Sequence, residues 1–258
     1  MNSMCWPRLV LAIAVTSVTN ATAAELPGFK LDGTRWTYKD EKVSMAGILL
    51  KPDGTGPFPA VLISHGKGGN AEAFGMNHAR EFVKWGLVCI APNYTHAGGK
   101  DKKADDKGGD GASEENVKRA LKCLDVLESL PYVDKKRLGA YGHSMGGFVT
   151  IGTAATAPDR LKAAAITGSG IAPRAGLPAP SAELAAKVRT PFLILHGAND
   201  RTVRPEQSAQ LKDVLDKNKV PVERHVFEGQ DHPIDQTKRD DVYKHIREWF
   251  TNQGVLKK

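Results

Sequence analysis

The sequence predicts a fold of the α/β class, with a mainly parallel sheet, helices on both faces and an antiparallel hairpin at the N-terminal end. From residue 60 onwards, short runs of Val, Ile, Leu and Ala alternate with longer segments of helical periodicity. Strands that are apolar along their whole length are buried on both faces, which is typical of a parallel sheet covered by helices. Ahead of this alternation, residues 35–39 and 43–50 have the pattern of two strands joined by a short charged turn, which predicts the hairpin.

The alternation defines the order of the remaining elements. The predicted strands cover residues 60–64, 87–92, 137–141, 163–167, 192–196 and 223–227, and the predicted helices cover residues 71–85, 113–129, 145–156, 205–218 and 237–253. Two segments interrupt it. Residues 94–112 are rich in Gly, Lys and Asp, and we expect them to form a long mobile loop. Residues 170–187 contain three prolines and a short helical pattern from 181 to 187, so this insertion is too small for a large cap domain.

Length and composition fit one catalytic domain over residues 24–258. The chain has 258 residues, 41% of them hydrophobic and 25% charged, so a full core can be buried. The formal net charge is +7 at pH 7, but basic and acidic residues are mixed, as in residues 100–107. Such mixing is typical of a solvated surface, and we expect no nucleic-acid partner. The sequence contains no pattern that specifies an oligomeric state.

The first 23 residues have the features of a signal peptide. Arg8 precedes an apolar stretch over residues 9–18, and the run Ala21-Thr22-Ala23 supplies the small residues that signal peptidase requires. About ten apolar residues are too few for a membrane-spanning helix, which needs roughly 20. We therefore expect a secreted or periplasmic protein that has no stable membrane insertion after cleavage.

Two cysteines remain after residue 23, and both lie in apolar segments. Cys89 falls in a predicted strand and Cys123 in a predicted helix. An oxidising compartment permits a disulfide between them, and burial as two free thiols is the alternative. Neither cysteine has the spacing of a metal-ligand motif, and we expect neither a metal nor another cofactor.

A nucleophile motif lies between a predicted strand and a predicted helix. Residues 142–146, Gly-His-Ser-Met-Gly, match the pattern G-x-S-x-G where strand 137–141 ends and helix 145–156 begins. The glycines permit a turn so sharp that we expect strained backbone angles at Ser144. The turn lifts the Ser144 hydroxyl above the end of the sheet, and the helix behind it points free N–H groups towards developing negative charge. The alternative is a chance glycine-rich turn with a capping serine, but such a turn need not lie between a strand and a helix.

A serine nucleophile needs a base to take its proton and a carboxylate to hold that base in one tautomer. His232 lies just beyond the strand 223–227, and Asp200 lies just beyond the strand 192–196. The chain order serine, acid, histidine agrees with the arrangement that follows a G-x-S-x-G turn. We therefore assign Ser144, His232 and Asp200 as the candidate catalytic triad.

Each partner of Ser144 has an alternative interpretation. His143 is adjacent to the serine, but consecutive residues of the turn point in different directions, so we interpret it as a packed or hydrogen-bonded histidine. His232 is alternatively an exposed loop histidine. Asp200 alternatively caps the following helix. Asp231 and Asp235 compete with it for the acid role, although Asp231 is adjacent to His232 and so awkwardly placed.

A glycine-rich loop follows the first long apolar strand. Residues 65–69, His-Gly-Lys-Gly-Gly, occupy the place from which a second backbone donor to an oxyanion is expected. We predict that the N–H groups of Lys67 and Met145 form the oxyanion hole together. A phosphate-binding loop is the alternative, but the run lacks the P-loop spacing and its Lys-Ser or Lys-Thr ending.

With these residues in place, the chain resembles the α/β-hydrolase superfamily over roughly residues 36–249. The runs 65–69 and 196–200, the latter His-Gly-Ala-Asn-Asp, are most similar to those of dienelactone-hydrolase-like enzymes. The resemblance implies cleavage of small esters or lactones without a cofactor. Residues 142–147 also resemble the elbow of secreted esterases and cutinase-type polyester hydrolases. One difference is that dienelactone hydrolases proper carry a cysteine where this chain has Ser144.

Three functional hypotheses follow. The first is hydrolysis of small-molecule or polymeric carboxylic esters through an acyl-enzyme on Ser144. The second is peptidase or acyltransferase chemistry with the same triad, since prolyl-oligopeptidase-like peptidases share the architecture. The third is a binding protein that has lost catalysis on the same scaffold, and its usual sign, a missing triad member, is not found.

Overall fold

One sheet positions all the candidate site residues. The computed structural model describes residues 26–41, 43–99, 109–172 and 178–258; the predicted signal peptide lies outside these ranges. The described strands are β1 Phe29–Asp32, β2 Arg35–Lys39, β3 Ser44–Leu50, β4 Phe58–Ser64, β5 Val88–Pro92, β6 Val133–His143, β7 Ala163–Thr167, β8 Phe192–Gly197 and β9 Val222–Phe227. They are ordered β1-β2-β3-β5-β4-β6-β7-β8-β9.

The sheet is mainly parallel, as predicted. Strands β5, β4, β6, β7, β8 and β9 run parallel to their neighbours in that order. Strands β2 and β3 form the predicted hairpin, and β3 pairs antiparallel with β5. Strands β5, β7 and β8 are buried along their whole length, which explains why their sequences are uniformly apolar.

Helices cover both faces of the sheet. The described α-helices are α1 Met76–Phe82, α2 Glu114–Ser129, α3 Met145–Thr156, α4 Ala182–Ala185, α5 Pro205–Lys217, α6 Ile234–Thr237 and α7 Arg239–Asn252. On one face, side chains such as Leu124, Val149 and Leu211 pack from α2, α3 and α5. On the other face, Phe82 and Phe250 pack from α1 and α7. The predicted fold class is therefore confirmed.

Several elements differ from the sequence prediction in their bounds. Strand β1 was not predicted because its four residues are mostly exposed and carry no apolar run. The predicted helix 71–85 consists of a π-helical turn Ala71–Gly75, then α1, then a 3₁₀ turn Val83–Trp85. The predicted helix 237–253 begins earlier, as α6, and is interrupted at Lys238, whose φ is −125°.

The two cysteines are free thiols. Cys89 belongs to the core beneath α1 and α7, whereas Cys123 belongs to the core beneath α2, α3 and α5. A disulfide does not join them because each is buried in a different layer. Burial raises the pKa of both thiols. Within the ranges described above, no helix is both long enough and apolar enough to cross a bilayer.

The parallel strands bring four loops to one edge of the sheet. Ser64 at the end of β4 pairs with Gly142 near the end of β6, and His143 pairs with Thr167 at the end of β7. His196 of β8 pairs with Val226 of β9. Because these strands are parallel, the segments that follow β4, β6, β8 and β9 leave the sheet at the same edge.

Candidate active site

Ser144 occupies a sharp turn between β6 and α3. Its φ of 54° and ψ of −122° are the strained values expected for this position. Hydrogen bonds on both sides hold this conformation. The Ser144 N–H donates to the Thr167 carbonyl oxygen at 3.0 Å, and the Ser169 hydroxyl donates to the Ser144 carbonyl oxygen at 3.0 Å.

Glycines surround the turn because no other residue fits. A Cβ atom at Gly142 would overlap the carbonyl group of Gly146, and a Cβ atom at Gly146 would overlap the carbonyl oxygen of Ser64. Residue 66 also approaches Ser144, since a Cβ atom there would lie 3.2 Å from the Cβ of Ser144. The loop after β4 therefore lies directly against the turn after β6.

Ser144, His232 and Asp200 form a continuous chain of hydrogen bonds. The Nε2 atom of His232 lies 2.9 Å from the Ser144 hydroxyl, and its Nδ1 atom lies 2.7 Å from Oδ2 of Asp200. The His232 side chain is 17% exposed, whereas the Asp200 side chain is fully buried. In this geometry a carboxylate fixes the histidine tautomer, so that Nε2 is free to accept the hydroxyl proton.

Asp200 is held by more than its bond to His232. Its Oδ1 atom accepts hydrogen bonds from the N–H groups of Thr202 and Val203, both at 2.9 Å. Burial by itself raises the pKa of this carboxyl, but hydrogen bonds from His196, His232 and Val203 outweigh it, and the pKa is lowered overall. These bonds make a turn after β8, and the residue before α5 is Arg204 rather than Asp200.

His196 contacts Asp200 as a second histidine. Its Nε2 atom lies 3.2 Å from Oδ2 of Asp200 and 2.8 Å from the Val203 carbonyl oxygen. The residue is fully buried in β8. From the sequence, His196 was noted only within the run 196–200 and had no predicted role. The spacing of four residues between His196 and Asp200 was the sequence feature that could have indicated this contact.

The two competing carboxylates occupy other places. Oδ1 of Asp231 accepts a hydrogen bond from the N–H of His232 at 2.8 Å, so this carboxylate contacts the backbone of the loop. Asp235 is buried between two histidines, with 3.6 Å from each of its oxygens to Nε2 of His78 and Nδ1 of His143. Neither carboxylate contacts the His232 ring through a hydrogen bond described in the structure.

His143 packs behind the candidate base. Its Nδ1 atom lies 3.1 Å from the Thr167 hydroxyl, and its ring centroid lies 4.9 Å from that of His232. Burial lowers the pKa of His143 to about 4. The ring is therefore neutral at physiological pH and supports the position of His232 by contact.

The two predicted oxyanion donors belong to the two segments that meet at Ser144. Met145 is the first residue of α3, so its N–H has no acceptor within the helix. Lys67 lies in the loop whose Gly66 approaches Ser144, directly before Gly68 and Gly69, whose amides donate to other carbonyl groups. Among the described residues, no group accepts a hydrogen bond from the Lys67 N–H.

A cavity of about 470 Å³ opens beside this loop, lined by residues that include Lys67, Phe74, His143, Gln236 and Arg239. An apolar cluster that includes Phe148 and Val203 lies near α3, with Met145 packed against it. Over the part of the chain that the structure describes, no group of three or more His, Cys, Asp or Glu side chains is arranged to hold a metal ion.

The comparison with protein families places the chain in a known group. The model of the dienelactone hydrolase family matches residues 45–256. The chain belongs to the dienelactone hydrolase family. The matched region extends from β3 to beyond α7, so it contains all the candidate site residues.

The relatives of this family member include both esterases and peptidases. Esterase FrsA of Enterobacter sp. (strain 638) is 27% identical over 166 residues, which cover 63% of this chain and 38% of the esterase. The uncharacterized peptidase YuxL of Bacillus subtilis (strain 168) is 26% identical over 254 residues, which cover 82% of this chain and 37% of the peptidase. The chain thus spans little more than a third of the length of these two curated relatives.

Solved structures share the fold. Esterase 2 of Thermogutta terrifontis, phosphorylated by paraoxon, superimposes with a TM-score of 0.69 and 19% identity, covering 91% of this chain and 97% of the esterase. The acylaminoacyl peptidase of Pyrococcus horikoshii superimposes with a TM-score of 0.72 and 19% identity, covering 91% of this chain and 43% of the peptidase. This family member therefore has an α/β-hydrolase-like fold.

The buried histidines predict a loss of stability in mild acid. Burial lowers the pKa of His65 to about 3 and of His143 to about 4, and it also lowers the pKa of His78 and His96. Between about pH 6.5 and pH 4 the unfolded chain binds protons at His65 and His143 and the folded chain largely does not, and the lowered pKa values of His78 and His96 act in the same direction. The free energy of unfolding should therefore fall as the pH is lowered through this window, with each histidine contributing up to about 1.4 kcal/mol per pH unit.

Urea denaturation at a series of pH values from 7.5 to 4.5 measures this dependence. The variant His143→Gln removes one of the four groups, so its slope against pH should be shallower by up to one proton. A free energy of unfolding that stays constant from pH 6.5 to pH 4.5 would contradict the prediction.

Proposed function

We propose that this member of the dienelactone hydrolase family is a serine hydrolase that cleaves carboxylic esters through an acyl-enzyme on Ser144. The observation that carries the proposal is the chain of hydrogen bonds from Asp200 to His232 and from His232 to Ser144, at 2.7 Å and 2.9 Å. The proposal is also supported by membership of a hydrolase family whose relatives include an esterase. Small esters, lactones and polyester-like polymers are the substrate classes it covers.

In the first half of the reaction, Nε2 of His232 takes the proton of the Ser144 hydroxyl while Oγ attacks the ester carbonyl carbon. The carbonyl electron pair moves to oxygen, and the N–H groups of Lys67 and Met145 donate to the resulting oxyanion. When the tetrahedral intermediate collapses, the bond to the alcohol oxygen breaks and the protonated His232 returns its proton to that oxygen. The alcohol leaves, and the acyl group remains on Ser144.

In the second half, a water molecule replaces the serine as the attacking group. His232 takes a proton from the water, the new tetrahedral intermediate collapses, and the proton is returned to Oγ of Ser144. The products are the carboxylic acid and the free enzyme. Asp200 stays ionised throughout and stabilises the imidazolium that forms at His232, which agrees with the lowered pKa of this carboxyl.

Peptidase or acyltransferase activity with the same triad is the second candidate. It is favoured by the peptidases among the relatives and among the structures that share the fold. Both reactions form the same acyl-enzyme, and they differ in the bond that is broken first or in the acceptor that removes the acyl group. Matched p-nitrophenyl ester and p-nitroanilide substrates with the same acyl group distinguish amide from ester cleavage, and added alcohols reveal acyl transfer to acceptors other than water.

We also propose that the protein is exported, as a periplasmic or secreted enzyme, after removal of residues 1–23. The support is the sequence pattern of Arg8, the apolar stretch and the run Ala21-Thr22-Ala23.

The variant Ser144→Ala tests the nucleophile directly. We expect wild-type protein to release a burst of p-nitrophenol from p-nitrophenyl acetate, and kcat of the variant to fall on the order of 10⁶-fold, because no acyl-enzyme can form. A panel of p-nitrophenyl esters of rising chain length measures the acyl group that the site accepts. Ser44→Ala, at an exposed position of β3, is the matched control. Activity that persists in Ser144→Ala would remove the proposed mechanism.

The acid assignment is tested by two isosteric substitutions. In Asp200→Asn the amide no longer holds the His232 tautomer, and we expect kcat to fall by about 10⁴-fold. In Asp231→Asn the side-chain oxygen can still accept from the His232 N–H, so kcat should change little. Equal losses in both variants, or a larger loss in Asp231→Asn, would move the acid role away from Asp200.

Export is tested by expressing the full chain in a Gram-negative host and measuring the intact mass of the protein in each cell fraction. We expect the periplasmic or extracellular protein to begin at Ala24. A protein that retains residues 1–23 and stays in the cytoplasm would show that export does not occur.

A further inference from the structure

A buried turn at the start of the segment 94–112 packs against the oxyanion loop, which we define as residues 65–69. Tyr94, Thr95 and His96 are all buried, although the sequence predicted a mobile loop here. The Gly68 N–H donates to the His96 carbonyl oxygen at 3.0 Å, and the Gly98 N–H donates to the Gly69 carbonyl oxygen at 2.9 Å. A Cβ atom on Gly98 would overlap the carbonyl group of Gly68. The two backbones are therefore in direct contact.

His96 contacts the oxyanion loop on both sides of Lys67. Its carbonyl group accepts from Gly68, the residue after Lys67, and its ring atom Nε2 lies 3.1 Å from the carbonyl oxygen of His65, two residues before Lys67. One residue thus spans the segment that carries the predicted oxyanion donor. Displacement of His96 has to move the peptide that presents the Lys67 N–H.

Hydrogen-bond partners determine the tautomer of each ring. The carbonyl oxygen of His65 only accepts, so the His96 Nε2 atom carries a proton and donates it. The other ring atom of His96, Nδ1, lies 3.2 Å from the side-chain amide nitrogen of Asn116. In His65 the assignment is reversed, because Nε2 accepts from the Tyr94 N–H at 3.2 Å and Nδ1 donates to the Gly66 carbonyl oxygen at 2.9 Å.

Asn116 fixes the proton on His96. Its Oδ1 atom accepts from the Thr95 N–H at 3.0 Å, so the other amide atom must be the nitrogen. That nitrogen donates to the Gly111 carbonyl oxygen at 3.0 Å and to Nδ1 of His96. A donor facing Nδ1 excludes a proton there and leaves the proton on Nε2. The neutral form is favoured further because burial lowers the pKa of His96.

We propose that His96 and Asn116 are positioning residues for the oxyanion hole, which hold the Lys67 N–H towards the reacting carbonyl oxygen through the hydrogen bond from His96 to His65. This inference rests on the proposed function of Ser144 and extends it to residues that do not touch the substrate. Oxyanion donors act over 2.7–3.1 Å, so a displacement of a few tenths of an ångström weakens them. The hydrogen bond from the Lys67 N–H contributes more to the transition state than to binding of the substrate in its ground state. We therefore expect kcat to change more than KM.

The decisive variant is His96→Phe, which keeps a ring but removes the Nε2 donor. Substitution of Asn116 by Ala removes the group that sets the tautomer, and His96→Gln restores an amide donor at nearly the same place. The rate at which a fluorophosphonate labels Ser144 reports on the function of the oxyanion hole and requires no knowledge of the natural substrate. We expect His96→Phe and Asn116→Ala to be labelled about tenfold more slowly or worse, since total loss of one donor costs about 100- to 1000-fold.

The remaining variants separate positioning from general destabilisation. His96→Gln should recover part of the labelling rate, and His225→Phe, at a partly exposed histidine of β9 far from the oxyanion loop in sequence, should be labelled at the wild-type rate. With p-nitrophenyl acetate, kcat of His96→Phe should fall while KM stays nearly constant. Labelling of His96→Phe at the wild-type rate, or equal effects in His225→Phe, would overturn the inference.

A second measurement uses the unmodified protein and does not depend on any variant folding. Ring ¹⁵N chemical shifts of labelled histidines should show His96 with its proton on Nε2 and His65 with its proton on Nδ1 at pH 7. A His96 ring that is protonated on Nδ1 would overturn the inference. A wild-type protein that fluorophosphonate does not label would contradict the proposed function itself, whereas normal wild-type labelling with an unaffected His96→Phe would contradict only the role of the positioning residues.

Discussion

The backbone of Ser144 has a φ of 54°, and the geometry of the whole site depends on this one conformation. A non-glycine residue in such a region costs about 1–3 kcal/mol, so the surrounding structure has to hold it there. Two hydrogen bonds do so: the Ser144 N–H donates to the Thr167 carbonyl oxygen at the end of β7, and the Ser169 hydroxyl donates to the Ser144 carbonyl oxygen. The turn leaves no room for side chains, which is why Gly142 and Gly146 are both required.

Around this turn, buried carboxylates and histidines hold one another in position. Asp200 is shared by His196 and His232, and Asp235 lies between His78 and His143. Around Asp200, each hydrogen bond restricts where the next group can carry its proton. Burial keeps the His143 ring beside His232 neutral, so in the proposed mechanism the proton is carried by His232, whose side chain is 17% exposed.

Much of the fold was predictable because its signals are local. Uniformly apolar segments identified β5, β7 and β8, and these strands are buried on both faces. Strand β1 was missed because its residues are mostly exposed and its pairing with β2, rather than its composition, makes it a strand. The helix before β5 was predicted over residues 71–85, but its division into three parts was not, because helical periodicity does not distinguish π-helical and 3₁₀ turns from regular helix.

The sequence by itself determined the fold class and the candidate residues Ser144, Asp200 and His232. The signals are local, because the glycine spacing or the end of a predicted strand lies within a few residues of each candidate. Tertiary structure decided what those residues contact. Ser144 and His232 are 88 residues apart, and a parallel sheet is needed to bring their loops to one edge. The same long-range packing placed His96 beside the oxyanion loop, 31 residues from His65 along the chain. Local sequence patterns carry no information about contacts between residues this far apart, because the pattern around each residue reflects only its own strand or turn.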